Sequence, residues 1–392
     1  MNRHLKVLLG VAAVVACVVT GVSGAASASV GSQQSKIGKG EGSLSVLAWP
    51  GYAENGSTQA DVNWVTPFEQ ATGCKTSVKT FGTSDEAFQL FHTGEYDVVS
   101  ASGDSSLRSV ANGDAAVLNT KLLTNYADIA PYLKKQRWNT VGGKVYGAPQ
   151  GWGANLLMYN ENKVTPAPTS WGAVFDKSSP YAGSITAYDS PIYIADAALY
   201  LSKTQPKLKI TDPYALDKKQ FAAVVALLKQ QKASVGEYWS DYLKEQEAFT
   251  KGSTVVGTAW QYVTNLVKAD TASPPVKAII PDEGSTAWSD NWMVSTKTKH
   301  PNCAYLWLNW IEKPAVQAQV AEWFGEAPAN LKACSMTSDP THCDTYGVND
   351  PNFRKQLSYW TTPTKKCLDG RTNTTCMAYK DWANAWDEIK AS

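Results

Sequence analysis

The segment LSVLAWPGY, Leu44 to Tyr52, decides the fold. Its first five residues are an apolar run between Gly42 and Pro50, which predicts a buried strand. Helices and strands are then expected to alternate: a helix over 61–72, a strand over 74–81, a helix over 85–92 with Ser84 as its N-cap, and a strand over 96–100. This alternation predicts a mostly parallel sheet with helices on its faces.

The chain is too long for one core, because hydrophobic cores stop growing at about 250–300 residues. We therefore expect an α/β protein of two lobes, each a mostly parallel sheet flanked by helices, with a ligand cleft between them. Six segments are predicted: a signal peptide over 1–28, a flexible linker over 29–42, the first part of lobe 1 over 43–150, lobe 2 over 151–280, a return to lobe 1 over 281–333, and a disulfide-rich helical segment over 334–392.

Strands and helices are also expected beyond the first alternating stretch. The first crossing between lobes is placed at a Gly151-Trp152-Gly153 turn between strands over 146–149 and 156–159. The remaining expected elements are a helix start at 168–171, a strand at 184–187, helices at 194–202 and 218–229, a strand at 252–257, and helices at 301–311, 315–323 and 379–390.

Aromatic and acidic side chains recur where the predicted strands end. Residues 49–52 and 100–104 both follow strands, and ligands of parallel sheets bind beyond the carboxyl ends of strands. Both segments should therefore line one crevice. Trp288 and Asp290 add an aromatic ring and a carboxylate much later in the chain. Aromatic faces combined with a carboxylate favour recognition of an organic cation in a site that excludes water.

The first 28 residues are typical of a targeting segment. Positive residues precede an apolar run over 5–20, and Ala26-Ser27-Ala28 offers a cleavage site. A second interpretation is a lipobox at 14–17, in which Cys17 is lipidated. The protein is thus expected to be exported, either lipid-anchored at the cell surface or free in the periplasm or medium, with membrane contact only through such an anchor.

The cysteines after Cys17 are even in number, which in an exported chain suggests three disulfides among Cys74, Cys303, Cys334, Cys343, Cys367 and Cys376. Pairing the two closely spaced couples, 334 with 343 and 367 with 376, leaves Cys74 for Cys303. Six cysteines allow fifteen connectivities, so other pairings stay open.

Composition excludes several functions. Lys and Arg total 36 against 35 Asp and Glu, so no basic excess points to nucleic acid. There is no Cys-x-x-Cys, and the four histidines are scattered, so neither a metal site nor a cofactor is predicted. A monomer is expected.

The order of these motifs resembles the bacterial spermidine/putrescine-binding proteins, the extracytoplasmic receptors of ATP-driven uptake systems. The resemblance rests on Trp-x-x-Tyr at 49–52, Tyr-Asp-Val-Val-x-x-Ser at 96–102, Tyr-Gly-Ala-Pro at 146–149 before Gly-Trp-Gly, and Trp-Ser-Asp at 288–290 before Lys-His-Pro-x-x-Ala at 299–304. It covers the chain from about Leu44 to the end. It implies a type II periplasmic-binding-protein fold that captures a polyamine by hinge closure and delivers it to the transmembrane subunits of an ABC permease.

The resemblance also implies roles for individual residues. Trp49, Tyr52 and Trp260 would form an aromatic box, Trp288 would pack against the ligand chain, and Asp290 would anchor one ammonium group, with Asp189 as the acidic anchor from lobe 2. The expected ligand-binding set is completed by Ser102, Asp104, Trp152 and Glu326. This chain departs from the family at Gly103-Asp104 and at Glu326, where the family has tyrosines. Acids in these places suit a cation but leave open a shorter diamine or another cationic compound.

Two other functions remain open from the sequence. A sugar receptor of the same fold would also use aromatic rings and carboxylates. A secreted glycoside hydrolase would need paired carboxylates, and Asp241, Glu245 and Glu247 are candidates, although a solvated helix face is the favoured interpretation of them. A ferric-ion receptor is disfavoured because adjacent tyrosines are absent. We expect a binding protein rather than an enzyme.

Overall fold

The computed structural model describes residues 34–392, so the expected signal peptide and Cys17 lie outside the described residues. The strands are β1 Ser43–Ala48, β2 Lys75–Thr80, β3 Val98–Ala101, β4 Thr140–Val141, β5 Lys144–Val145, β6 Gly147–Asn160, β7 Ile185–Tyr188, β8 Val235–Trp239, β9 Val256–Trp260, β10 Val276–Ile279, β11 Ser285–Val294, β12 Ala327–Pro328 and β13 Leu357–Tyr359. The helices are α1 Val65–Thr72, α2 Ser84–Thr93, α3 Gly103–Ala111, α4 Gly172–Phe175, α5 Ile194–Thr204, α6 Lys218–Lys232, α7 Tyr242–Thr250, α8 Gln261–Ala269, α9 Pro301–Ile311, α10 Pro314–Phe324, α11 His342–Thr345, α12 Pro351–Lys355 and α13 Tyr379–Ala391.

Two long strands, β6 and β11, join two sheets into one continuous path. The strand order is β2-β1-β3-β11-β6-β9-β7-β8. In lobe 1, β1 runs parallel to β2 and β3, and in lobe 2, β7 runs parallel to β8 and β9. The antiparallel pairs in this path are those that β6 and β11 make. This is the predicted two-lobe α/β architecture.

The predicted turn at Gly151-Trp152-Gly153 is wrong. These residues lie in the middle of β6, a single strand of 14 residues that is buried along its whole length. Its first half pairs with β11 in lobe 1, and its second half pairs with β9 in lobe 2. The two glycines are there because other side chains pack against their backbone, and not because the chain reverses.

The C-terminal segment contributes to both lobes. β13 adds to the start of β11, and α13 packs on α6 of lobe 2. Cysteine pairing follows the prediction, with disulfides Cys74–Cys303, Cys334–Cys343 and Cys367–Cys376. Among residues 34–392, no helix combines the length and apolar character needed to cross a bilayer.

The described part of the predicted linker is held against lobe 1. The backbone N–H of Gly38 donates to Asn302 at 2.6 Å. The Glu41 carboxylate accepts from the backbone N–H groups of Asn302 and Cys303, each at 2.9 Å, and so satisfies free donors at the start of α9. The ordered lobe therefore begins before β1.

The predicted N-cap of helix α2 is wrong by one residue. Its N-cap is Thr83, whose hydroxyl accepts from the backbone N–H of Glu86 at 3.1 Å. Ser84, the predicted cap, is the first helical residue, and its hydroxyl instead donates to Asp104 at 2.9 Å. This bond links α2 to α3 beside the cleft.

Candidate functional site

The alternating faces of β6 and β11 place the first two site residues. Gly151 pairs with Asp290 and Gly153 pairs with Trp288, so these four residues share one face of the sheet. A Cβ on Gly153 would lie 2.5 Å from the Trp288 ring, and one on Gly151 would lie under 3.0 Å from the Glu326 carboxyl group. The glycines thus make room for an indole and a carboxyl group on the cleft face.

Trp152 points to the other face for the same reason. It is fully buried in a cluster beside Tyr132, Phe353 and Tyr359, with ring centroids 6.0–6.4 Å apart. The structure therefore does not bring Trp152 to the residues it was predicted to join. It is a packing residue of lobe 1.

Two carboxyl groups and a tyrosine meet beneath the cleft. The Tyr52 hydroxyl lies 2.8 Å from Asp290 Oδ2 and 2.6 Å from Glu326 Oε2. The Ser102 hydroxyl donates to Asp290 Oδ1 at 2.5 Å, and the Gln150 amide donates to Glu326 Oε1 at 3.2 Å. All five side chains are buried. The structure thus brings together Tyr52, Ser102, Asp290 and Glu326, which the sequence places far apart.

The protonation of this cluster is strongly perturbed. Burial raises the pKa of Asp290 to about 7, against the lowering effect of the Ser102 and Tyr52 hydrogen bonds. Burial also raises the pKa of Glu326 to about 8, with repulsion from Asp290 adding to it. Neither carboxyl group has an ion-pair partner within the described chain. Burying an ionised carboxylate without a partner costs free energy, so a positively charged ligand would stabilise this cluster.

Asp104 adds a third buried carboxyl group in the first turn of α3. One of its oxygens accepts from Ser84, and the other, Oδ2, is buried without a hydrogen-bond partner among the described residues. Burial raises the pKa of Asp104 to about 6, while Arg108 opposes this. Arg108 itself is bonded to Asp85 at 2.5 Å rather than to Asp104.

Lobe 2 and the C-terminal segment supply aromatic walls. Tyr188 stacks on Trp360 with ring centroids 5.7 Å apart, and it also packs against Trp260 at 5.7 Å. Burial raises the pKa of the Tyr188 hydroxyl, and the negative charges of Asp104 and Asp290 add to this. Trp260, which was predicted to belong to the aromatic box, therefore packs with Tyr188 in this group of aromatic side chains. Tyr188 and Trp360 were missed by the sequence reading.

A glycine explains why Trp360 reaches this place. A Cβ on Gly103 would collide with the backbone carbonyl of Trp360, so only glycine lets the C-terminal segment pass here. The Thr362 hydroxyl then donates to the Asp104 carbonyl at 2.8 Å. The Gly103-Asp104 departure noted in the sequence thus accommodates the backbone that follows β13, which no local pattern predicts.

Lobe 1 contributes three further aromatic residues. Phe324 stacks on Tyr52 at 4.0 Å and contacts Trp288 edge-on at 5.9 Å. Trp49 packs on Phe81 at 4.5 Å and donates its indole N–H to Ser102 at 3.2 Å. Trp49 therefore orients Ser102, the residue that in turn hydrogen-bonds Asp290.

Asp189 does not join the acidic cluster. Its carboxylate accepts from the Trp386 indole at 3.0 Å and from the Lys390 ammonium group at 2.7 Å, both on α13. The side chain that the resemblance assigned to ligand binding from lobe 2 is here already paired with a cation. Its observed role is to fix α13 to lobe 2.

Lobe 1 contacts α13 through Arg108, whose guanidinium group lies against two aromatic rings. The Arg108 guanidinium of lobe 1 lies 3.9 Å from the Tyr379 ring of α13 and 4.6 Å from the Phe88 ring. The Tyr379 hydroxyl donates to Asp85 at 3.1 Å. These contacts join lobe 1 to α13.

Two surface grooves lie away from the acidic cluster. Their volumes are about 410 and 450 Å3, and they share Thr211, Pro213, Leu357 and Ser358. An ion pair between Arg137 and Asp212 borders the second groove and joins the lobes there. We take the buried cluster as the candidate binding site instead, because Tyr52, Ser102, Asp290 and Glu326 meet there.

The residues considered for hydrolysis do not form a pair. Glu245 is completely buried on α7, with both oxygens unpartnered within the described residues, so the expected solvated face is wrong there. Glu247 is exposed and pairs with Lys251, and Asp241 caps α7. These three carboxyl groups are held in different environments and do not converge on a substrate site.

A two-lobe α/β fold with a buried acidic and aromatic cluster between the lobes defines a receptor for a small solute. The chain belongs to the family of bacterial extracellular solute-binding proteins, whose pattern matches residues 63–342. Members of this family are transport proteins and not enzymes, so the hydrolase alternative is wrong.

Known proteins resemble the chain over most of its length. It is 25% identical over 309 residues to the spermidine/putrescine-binding periplasmic protein of Escherichia coli, covering 76% of this chain and 84% of that one. A spermidine/putrescine substrate-binding protein from Streptococcus pneumoniae has the same fold, with a TM-score of 0.68, 18% identity, and coverage of 89% and 98%. A binding protein from A. tumefaciens in complex with glucopine gives a TM-score of 0.66, 16% identity, and coverage of 89% and 99%.

Proposed function

We propose that this protein captures a small organic cation of the polyamine class between its lobes and delivers it to an ABC permease. The observation that carries the proposal is the set of three buried carboxyl groups, Asp104, Asp290 and Glu326, none of which has an ion pair within residues 34–392. The names of relatives such as the Escherichia coli spermidine/putrescine-binding protein support the same ligand class.

The chemistry of a polyamine matches this arrangement. Its ammonium groups need acceptors when they leave water, and its methylene spacers need apolar surface. Asp290 and Glu326 would receive one ammonium group, and Asp104, whose buried Oδ2 lacks a hydrogen-bond partner among the described residues, would receive a second. The rings of Trp260, Trp288 and Trp360 would cover the spacer, each with a cation–π contribution of about 0.5–2 kcal/mol.

Closure of the lobes would couple binding to transport. The acids come from lobe 1, whereas Tyr188 and Trp260 come from lobe 2. A ligand that contacts both sets stabilises the closed arrangement over an open one. The closed form would then dock on the transmembrane subunits of the permease.

Calorimetry and thermal shift measurements test the ligand class. The compounds are putrescine, cadaverine, spermidine, spermine and agmatine, with butylamine as a single-charge control, 1,4-butanediol as an uncharged one, and oligosaccharides for the sugar alternative. We expect one di- or polyamine to stabilise the protein strongly and the diol to have no effect.

Two matched variants locate the effect. Asp290→Asn should weaken amine binding by about 10–100-fold, because a charge-assisted hydrogen bond of about 1.5–3 kcal/mol is lost. Asp61→Asn makes the same charge change at an exposed site and should leave affinity unchanged. Stabilisation by sugars alone would overturn the amine proposal while keeping the fold.

We also infer that the chain is exported and is held at the membrane, if at all, only by a lipid on Cys17. Intact mass measurement of the protein from its own membrane fraction distinguishes the two processing routes. A diacylglycerol-modified Cys17 at the new N-terminus supports lipidation, and an N-terminus near Ser29 supports cleavage.

A further inference from the structure

The Tyr52 hydroxyl has one hydrogen atom but two carboxyl neighbours. It lies 2.8 Å from Asp290 Oδ2 and 2.6 Å from Glu326 Oε2, and both distances are those of hydrogen bonds. If both acids were ionised, Tyr52 could donate to only one of them. The other contact would then place two oxygen lone pairs against each other inside a buried site.

The neighbouring donors cannot resolve this conflict. Ser102 directs its hydrogen to Asp290 Oδ1, and its oxygen accepts from the Trp49 indole. The Gln150 amide reaches only Glu326 Oε1, while its oxygen accepts from the Trp292 indole at 2.8 Å. Unless a cation is bound, the geometry of the site therefore requires one further proton between the two carboxyl groups.

The other titratable groups near the pair add negative charge or remain neutral. Asp104 on α3 raises the pKa of Asp290. Burial raises the pKa values of Tyr188 and Tyr346, and the negative charges of Asp290 and Glu326, respectively, add to this. The His342 ring contacts the backbone carbonyl of Glu326 at 2.8 Å and not its carboxyl group. Arg108 faces Asp104 and is paired with Asp85.

We infer that an arriving ammonium group takes the place of this proton, so that the site exchanges one proton for one amine cation. The inference rests on the proposed function. The O–H bond of the Glu326 carboxyl group breaks, and its proton passes to solvent. The ammonium N–H groups then donate to both carboxylates, and Tyr52 keeps its own hydrogen.

The direction of the pH dependence follows from this exchange. In the ligand-free protein burial raises the pKa of Glu326 to about 8, so this group is mainly protonated at neutral pH. The bound cation favours the ionised form, so binding releases a proton and affinity falls as the pH is lowered below about 8. The limit is about tenfold per pH unit for each proton released. An alkylammonium group stays charged up to about pH 10, so the ligand itself does not titrate in this range.

The test is calorimetry of the wild-type protein with putrescine, or with whichever amine of the panel binds, at pH 7. Phosphate and Tris buffers differ in ionisation enthalpy, so the difference between the two observed heats counts the protons released. We expect about one proton per amine bound, and an affinity that weakens by roughly tenfold between pH 7 and pH 6.

Glu326→Gln assigns the proton to its group. An amide of the same shape can donate to Tyr52 without a titrating proton, so this variant should release about one proton fewer than the wild-type protein and bind with a weaker pH dependence, the remainder belonging to Asp290. Proton release in Glu326→Gln equal to that of the wild-type protein would overturn the assignment. Amine binding with equal heats in both buffers would overturn the exchange while leaving the proposed function intact, whereas absence of any amine binding would overturn the proposed function itself.

Discussion

Replacement of Gly151 by alanine tests the geometry of the site directly. Gly151 lies within an extended strand, so its backbone accepts an alanine without strain. The added methyl group, however, would lie under 3.0 Å from all three atoms of the Glu326 carboxyl group. The carboxyl group must therefore move away from Tyr52 and Gln150.

The expected cost has two parts. Overpacking a well-packed interior costs about 1–3 kcal/mol. The two hydrogen bonds to Glu326, at 2.6 Å from Tyr52 and 3.2 Å from Gln150, are then weakened or lost, at about 0.5–1.5 kcal/mol each. We therefore expect Gly151→Ala to lower the free energy of unfolding by about 2–6 kcal/mol.

Urea denaturation measures this change, and two further variants make the result specific. Gly82→Ala is the control, because the nearest atom to its new methyl group is a flexible Glu86 oxygen at 3.7 Å. In Gly151→Ala combined with Glu326→Ala the collision is removed, so the double variant should be more stable than the sum of the single effects by about 1–3 kcal/mol. If Gly151→Ala matches Gly82→Ala, or if the double variant is strictly additive, the proposed contact between Gly151 and Glu326 is wrong.

Three other outcomes follow from the structure. Tyr379→Phe removes the hydrogen bond to Asp85 across the cleft, so ligand dissociation followed by stopped-flow should be about 2–10-fold faster, and an unchanged rate would show that this contact does not stabilise closure. Cys303→Ser opens a disulfide that spans 229 residues and should lower the free energy of unfolding in urea by about 5 kcal/mol, because a long closed loop restricts the unfolded chain most. Cys376→Ser opens a disulfide that spans 9 residues and should lower it by roughly 2–3 kcal/mol, so equal losses would contradict the loop-entropy argument. Burial raises the pKa of Glu312 to about 8, above its value in the unfolded chain, so the folded state binds an extra proton between about pH 5 and pH 8. The free energy of unfolding should therefore fall as the pH rises through this range, by at most about 1.4 kcal/mol per pH unit from this group. Glu312→Gln should reduce this pH dependence, and identical plots of stability against pH for the variant and the wild-type protein would exclude the effect.

Local signals in the sequence predicted the parts of the fold that depend on local chemistry. The apolar run at Leu44 marks β1, and Pro301 and Pro314 mark the starts of α9 and α10, because proline suits the first turn of a helix. The spacing of the cysteines predicted their pairing.

The site itself was predictable only in part. Tyr52, Ser102 and Asp290 follow strands or lie on the crossing strand, so topology brings them together, and the structure confirms that they meet. Glu326 was placed in the expected ligand-binding set, but no local pattern predicted that it is buried. Its burial depends on the missing side chain of Gly151, and glycine in a sequence also signals a turn, which is the interpretation that failed.

Other misses come from packing between distant segments. Trp360 and Tyr188 stack although they are far apart in the chain, and no periodic pattern relates them. The Asp189 carboxylate looked available until α13 placed Lys390 beside it. Such contacts depend on how elements dock, which single-sequence periodicity does not encode.

The disulfide pattern has a consequence for how the chain acquires its native structure. Taken in chain order, the described cysteines form consecutive pairs that do not overlap: 74 with 303, 334 with 343, and 367 with 376. A polypeptide that enters an oxidising compartment with its N-terminus first therefore presents the correct thiols in the correct order, and simple sequential oxidation gives native connectivity without isomerisation. Cys17 is the one thiol that would disturb this order, because it would precede Cys74. If Cys17 is removed with a leader, or if its sulfur carries a lipid, the remaining cysteines can still pair in chain order.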